Sequence, residues 1–434
     1  MDQVTHLCRR RFHHVIKCPR TSDRVSFALI GSAWDRSGSL SGREVVGESG
    51  EEGAQEEREH DGDFTDVILF LLPAGCSRYI GIPSEKVCDE ENVRLIAIDR
   101  PGCGATTMCP LPERLERCTK HTLSILDHLA PRLRSRRPLK LLSHSAGFLY
   151  AMHLFSHTPA DTLVRLFGEE PRYLASSAFV PTHISGSSMS YLPRSLVAIA
   201  PTALPFMMDA FSAISTGASA LLTSSTLAAT TVASGFRSKS TLEDEESEAE
   251  LKAARKAERK TAKSMKKKPD AEFWPPYPPI SIVEPNLDDE EEAQNECLHP
   301  ATGKPLTEKD TLMFDMMRAE NAFVGFTQDY LLCLGKEPTM DNVGLEKLSR
   351  ETIEGLATNN VFQKLHAKVL WGDQDAITPK KGRDWLDGVF DHAVALPGSK
   401  LEVSAWIMAD AGHDQTITTK AVMKRAIRWM LDRE

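Results

Sequence analysis

Residues 139–154 read LKLLSHSAGFLYAMHL. A short apolar run, Leu139 to Leu142, meets Ser143-His144-Ser145-Ala146-Gly147. A second apolar set follows at helical spacing: Phe148, Ala151, Met152 and Phe155. The first run is strand-like and the second marks one face of a helix. A nucleophilic side chain must stand clear of the sheet, and a strand that turns sharply into a helix lifts it there. Such a turn forces strained backbone angles and close strand–helix packing. The residues two before and two after the nucleophile must therefore be small, as Ser143 and Gly147 are around Ser145. The helix N-terminus then offers the backbone N–H of Ala146 to a developing oxyanion.

On either side of this stretch the chain alternates strands with helices. Strand-like runs fall around residues 13–17 and 25–30. Residues 66–72 (DVILFLL) and 93–98 (VRLIAI) are continuous apolar runs, as expected of strands buried on both faces of a parallel sheet. Leu115, Cys118, Thr122, Ile125, Leu126 and Leu129 share one face of a helix predicted over 112–130. Residues 173–180 read as a further strand. Late in the chain, 366–371 (HAKVLW) and 401–407 read as strands, and 379–389 as a helix. A last helix carries Val422, Met423, Ala426, Ile427 and Met430. This rhythm predicts an α/β architecture with a mostly parallel, doubly wound sheet.

Composition bounds what such a fold does. The chain has 434 residues, 41% of them hydrophobic, so a large core can be buried. A net charge of −9 argues against a nucleic-acid partner. The nine cysteines are scattered, without a CxxC pair, which excludes a zinc-finger pattern and reads as a reducing, cytoplasmic compartment. The basic N-terminus, MDQVTHLCRRRFHHVIKC, lacks the apolar core of a secretory signal. No uncharged apolar run reaches 18 residues, so no ordinary membrane span is expected. The nearest approach, 195–236, has Asp209 as its sole charge but is interrupted by Pro201 and Pro205.

Two stretches break the rhythm. Residues 36–63 are rich in Gly, Ser and Glu and read as a solvated insertion. Residues 184–357 read as an insertion between two strands. Within it, 238–295 is low in complexity: acidic LEDEESEAE, basic KAARKAERKTAKSMKKK, proline-rich FWPPYPPI, then DDEEE. These charge runs read as a solvated helix or loop.

Three further stretches, in order, accompany the serine turn. IAIDRPGCGAT (96–106) contains Asp99, Pro101, Gly102 and Gly104. LPAGCSRYIG (72–81) follows a buried strand. The pair VLWGDQDAITP and MADAGHDQT ends the chain's last two strands. With these motifs the chain resembles α/β-hydrolase-fold proteins of the lidded esterase, lipase and epoxide-hydrolase type, over about residues 11–183 and 355–434. The resemblance implies a D-x-P-G-x-G structural turn at Asp99–Gly104. It implies an oxyanion loop at 72–78, here without the family's His-Gly pair, whose second N–H donor is Ala74, with Gly75 next. It implies a triad of Ser145, Asp375 and His413, in the chain order expected for the fold; Asp373 is the near alternative for the acid. His144 is read as a packing or polar neighbour, His183 as a surface residue and Cys76 as a small buried side chain.

The resemblance further implies two core segments, 11–183 and 358–434, with a mainly helical cap at 184–357. Leu192, Leu196, Leu204, Phe206, Met207, Met208 and Phe211 either pack cap against core or roof the pocket over a hydrophobic acyl substrate. A membrane surface is a lesser partner for that segment. The implied reaction is acyl-bond hydrolysis through a serine nucleophile, and it requires no metal or organic cofactor. Serine in place of aspartate argues against epoxide-hydrolase chemistry, while acyl transfer and carbon–carbon hydrolysis use the same triad. The alternative is a catalytically silent α/β-hydrolase-fold ligand-binding or scaffold protein.

Overall fold

The computed structural model describes residues 6–36, 66–133, 137–187, 271–273, 320, 323–337 and 340–433. Among them, nine strands form one sheet: His14–Lys17 (β1), Arg24–Ile30 (β2), Asp66–Leu71 (β3), Val93–Ile98 (β4), Lys140–His144 (β5), Arg172–Ser176 (β6), Ala271–Phe273 (β7), Leu365–Gly372 (β8) and Leu401–Met408 (β9). The order is β1-β2-β4-β3-β5-β6-β8-β9-β7. Only β2 runs antiparallel to its neighbours; every other pairing is parallel.

The continuous apolar runs arise because both faces of the central strands are covered. β3 and β4 are buried at every position. Val67, Leu69 and Leu71 of β3 enter one core, and Ile68 and Phe70 the other, at the period of two that a pleated strand imposes. The first core is closed by Arg114–Leu133, Gly147–His157, Ala160–Phe167, Asn342–Thr358 and Lys380–Val394. The second is closed by Glu85–Glu90 and Lys420–Met430. With Phe323–Cys333 placed in order, these helices are α1 (85–90), α2 (114–133), α3 (147–157), α4 (160–167), α5 (323–333), α6 (342–358), α7 (380–394) and α8 (420–430). The architecture is α/β with helices on both sheet faces, as the sequence rhythm predicts.

The strand predicted over 173–180 ends at Ser176. Ser177 has φ +41° and turns the chain away, its N–H donating to Leu370 O at 2.7 Å. α6 lies inside the range read as a cap, yet it packs on α3 and α7 and buries Leu345, Ile353 and Leu356 in the first core. Its N-cap is Asp341, whose side chain accepts from Gly344 N–H at 2.8 Å. Within the charge-rich stretch 238–295, residues 271–273 pair with β9 at the sheet edge. The rest of that stretch, the apolar roof residues 192–211 and the solvated insertion at 37–63 lie outside the described residues.

Cys18, Cys88, Cys103, Cys118 and Cys333 are buried, and Cys8 is exposed. No helix of the described residues is long and apolar enough to cross a membrane.

Candidate active site

Ser145 sits between β5 and α3 with φ +52°. A side-chain-bearing residue in the left-handed region costs about 1–2 kcal/mol. α3 offsets this: Phe148, Leu149 and Leu154 are each at most 1% exposed, and burying one such side chain contributes about 1.5–3 kcal/mol. The turn is pinned on both sides. Ser145 N–H donates to Ser176 O at 3.0 Å, and Ser145 O accepts from Phe148 and Phe179 N–H at 3.0 and 3.2 Å. Gly147 has to be glycine: a Cβ there would lie 2.2 Å from Leu71 O. Ser143 stands where the family pattern has glycine, and its hydroxyl bonds the buried Tyr173 hydroxyl at 2.8 Å. A glycine there would leave that hydroxyl unpartnered. Ala146 is buried, and its N–H makes no hydrogen bond among the described residues.

Asp375 and His413 come together from the loops after β8 and β9. Asp375 Oδ2 accepts from His413 Nδ1 at 2.7 Å, and Oδ1 accepts from Ile377 and Thr378 N–H at 2.8 Å each. Asp373 is exposed and instead accepts from Ala411 N–H at 3.2 Å. His413 O is held by the hydroxyls of Ser177 at 2.9 Å and Thr416 at 2.8 Å. Its Nε2 is buried and has no hydrogen-bond partner among the described residues. Burial opposes the imidazolium, but the adjacent Asp375 carboxylate and Asp414 outweigh it and hold the His413 pKa above its ordinary value. Burial also opposes ionisation of Asp375, and His413 with the two backbone N–H groups keeps its pKa low.

His144, fully buried, brings the serine turn against this pair: its ring centroid lies 5.1 Å from that of His413. Its Nδ1 faces Ser176 O at 3.1 Å and its Nε2 faces Asp414 Oδ1 at 3.3 Å. Desolvation, only partly countered by Asp414, lowers its pKa and keeps it neutral. His144, His413 and Asp414 are, among the described residues, the one group whose ligand atoms lie close enough to hold a metal ion, within 4.8 Å of one another. His183 lies at the surface beside Glu346, 3.2 Å away.

The loop at 72–76 carries the two remaining candidates. Gly75 N–H donates to Asp329 Oδ2 at 2.9 Å. Ala74 N–H makes no hydrogen bond among the described residues. Gly75 has φ +70°, and a Cβ on it would meet the Phe326 ring at 2.1 Å, so α5 lies directly on the loop. Asp329 of α5 is fully buried between Arg100, Arg114 and Tyr150. Sequence reasoning missed all four. Their one local trace is Gln328-Asp329, a polar pair inside the otherwise apolar helix FVGFTQDYLLC. The nearby turn at Asp99 is structural: Asp99 takes Arg78 Nη1 at 2.5 Å and Ser26 Oγ at 2.6 Å, both buried.

No protein-family model matches the sequence, and no curated protein matches it. Solved structures are similar at low identity. An epoxide hydrolase, VrEH1, from Vigna radiata has 14% identity and a TM-score of 0.47, covering 97% of this chain and 98% of that one. A thermophilic esterase from Thermogutta terrifontis has 13% identity and a TM-score of 0.42, covering 97% and 98%. A bromoperoxidase from Bacillus anthracis has 10% identity and a TM-score of 0.42, covering 97% and 99%. The sheet itself identifies the architecture. It is mostly parallel and covered on both faces, with a serine at a positive-φ strand–helix turn and an acid and a histidine after its last two long strands. The chain has the α/β-hydrolase fold.

Proposed function

We propose that this chain is a serine hydrolase that cleaves an ester or related acyl bond of a hydrophobic small molecule. The observation that carries the reading is the state of His413: one ring nitrogen is fixed on Asp375 at 2.7 Å, and the other is buried, without a partner among the described residues, and next to the serine turn. A buried polar nitrogen without a partner costs about 1–3 kcal/mol. A serine hydroxyl at the elbow is the group that would fill the need.

In this reading Ser145 Oγ attacks the acyl carbon while His413 Nε2 takes its proton. Asp375 holds the tautomer that leaves Nε2 bare and stabilises the imidazolium once it forms. The oxyanion is met by the N–H of Ala146 and the N–H of Ala74; the Gly75 N–H is already given to Asp329. Each such donor is worth roughly 10²–10³-fold in rate. His413 returns the proton to the leaving group, then activates water against the acyl-enzyme. The apolar residues at 192–211 support a hydrophobic acyl group.

The test is labelling with a fluorophosphonate probe, comparing wild type with Ser145→Ala and His413→Ala. Labelling of the wild type that is lost in both variants supports the reading. A folded wild type that does not label would sink it and leave a ligand-binding protein on the same fold.

A further inference from the structure

The oxyanion loop is held by charges that belong to no triad. A trans peptide is planar, so its N–H and C=O point in opposite directions. Fixing one carbonyl therefore fixes the next residue's N–H. Arg100 bonds Leu72 O at 2.5 Å through Nη1 and Pro73 O through Nη2. The Pro73 carbonyl thus faces Arg100, and the Ala74 N–H faces away from it. The next peptide plane is set from the other end, because Gly75 N–H donates to Asp329 Oδ2. The two anchors are bonded to each other, Arg100 Nε and Nη2 meeting the same Oδ2 at 3.0 and 2.6 Å.

Asp329 is itself over-determined. Its other oxygen accepts from Arg114 Nε and Tyr150 OH, each at 2.8 Å. Burial opposes its ionisation, but the two guanidiniums reverse this and keep it a carboxylate. Arg114 also grips α5 at Gly325 O and Gln328 Oε1, at 3.1 and 2.7 Å. A buried carboxylate shared by two arginines is expensive unless every lone pair is used. Here one oxygen serves the helix side and the other serves the loop.

We propose that Asp329 is a positioning residue for the oxyanion hole: through Arg100 and the Gly75 N–H it locks the peptide planes at 73–75 so that the Ala74 N–H, and not the Gly75 N–H, is presented to the acyl oxygen. This rests on the serine-hydrolase reading above. It makes competence of the site conditional on α5, which stands where the chain returns from the insertion, more than 200 residues from the loop it orients. If α5 lifts, the loop loses its carboxylate and Arg100 its counter-ion together, and the 74–75 plane is free to turn.

The experiment uses the full chain and a short p-nitrophenyl ester. Active sites are counted by fluorophosphonate titration, so that kcat refers to folded, labelled enzyme alone. Asp329→Asn is expected to lower kcat per titrated site roughly 10²-fold, the worth of one oxyanion donor, with KM little changed. Affinity for a trifluoromethyl ketone, which forms a tetrahedral oxyanion on the serine, should fall in parallel. Tyr150→Phe removes a hydroxyl that meets the helix-side oxygen and Arg114 Nε but not the loop-side oxygen, and it is expected to lower stability while kcat per site stays within about twofold. Should Asp329→Asn not fold, Arg100→Lys reads the same step. An ammonium faces Asp329 but cannot fork to both loop carbonyls, so kcat per site should fall about tenfold or more. Variants that are less stable but turn over normally per titrated site would overturn the proposal and leave the cluster purely structural. Absence of labelling in the wild type would instead overturn the hydrolase reading, so the two failures are distinct.

Discussion

Replacing Asp375 by asparagine tests the acid–histidine pair, and the local bonds dictate the outcome. Asp375 Oδ1 accepts two backbone N–H groups, from Ile377 and Thr378, at 2.8 Å each. In the variant the amide oxygen must take that position, because an NH₂ there would face two donors. The NH₂ then lies where Oδ2 was, 2.7 Å from His413 Nδ1. Nδ1 becomes an acceptor, and the imidazole proton moves to Nε2, where the serine proton has to go. A wrong tautomer of this kind costs about 10⁴-fold in kcat, about 5.4 kcal/mol at 1.36 kcal/mol per decade. The turn bonds and side-chain volume are kept, so thermal unfolding should shift little. The assay is kcat for an activated ester across pH, with circular dichroism as the folding control. The acid limb should also move. Asp375 holds the wild-type His413 pKa above 6.5; without its charge, burial dominates and the limb shifts to lower pH while the plateau drops. A folded variant within tenfold of wild type, with its limb unmoved, would show that Asp375 does not orient the base.

Three other outcomes follow from the same geometry. Under the proposed mechanism the working base is neutral His413, so kcat/KM should rise with pH through a value above 6.5, the ordinary histidine pKa; a limb at or below 6.5 counts against His413. Ser145→Gly should be more stable than Ser145→Ala by about 1 kcal/mol in urea titration, because only glycine sheds the cost of φ +52°; equal stabilities would mean that the turn relaxes. Asp99→Ala strips Arg78 of a buried partner and should cost about 3 kcal/mol, the lower end of the range for broken buried pairs, since Glu320 still meets Arg78 at 2.6 Å. A loss under 1 kcal/mol in the same titration would contradict that account.

The fold was legible where a strained local geometry forces a local pattern. Small residues must crowd Ser145, and buried strands must be apolar throughout, so β3 to β5 and the elbow stand out in the sequence. Asp375 and His413 were legible by their place after β8 and β9. α6 was not, because the strand–helix rhythm fails from 184 onward and the helix reads with that insertion, although it packs on the core. The loop at 72–76 was read only to the level of two candidate donors, since the bond that sets Gly75 apart from Ala74 is made to a carboxylate at position 329. Long-range pairing leaves no sequence period. Ser143 looked like a departure from the family pattern, and its reason, the buried Tyr173 hydroxyl, lies on the adjacent strand.

The buried thiols make the molecule its own reporter of partial opening. The Cys103 sulphur lies under Gly325, so close that a Cβ on that glycine would come within 2.3 Å of it. Cys333 closes the other end of the same helix. Cys88 belongs to the second core, beneath β2 and β4. Burial pushes the Cys103 thiol up to about 12, so it reacts with alkylating reagents only when the structure opens. Local openings have their own free energies, below that of global unfolding. Should α5 open as a unit, Cys103 and Cys333 would be modified at one rate and Cys88 at a slower one. The difference in free energy between those rates is the cohesion of α5 with the sheet, measured without a substrate.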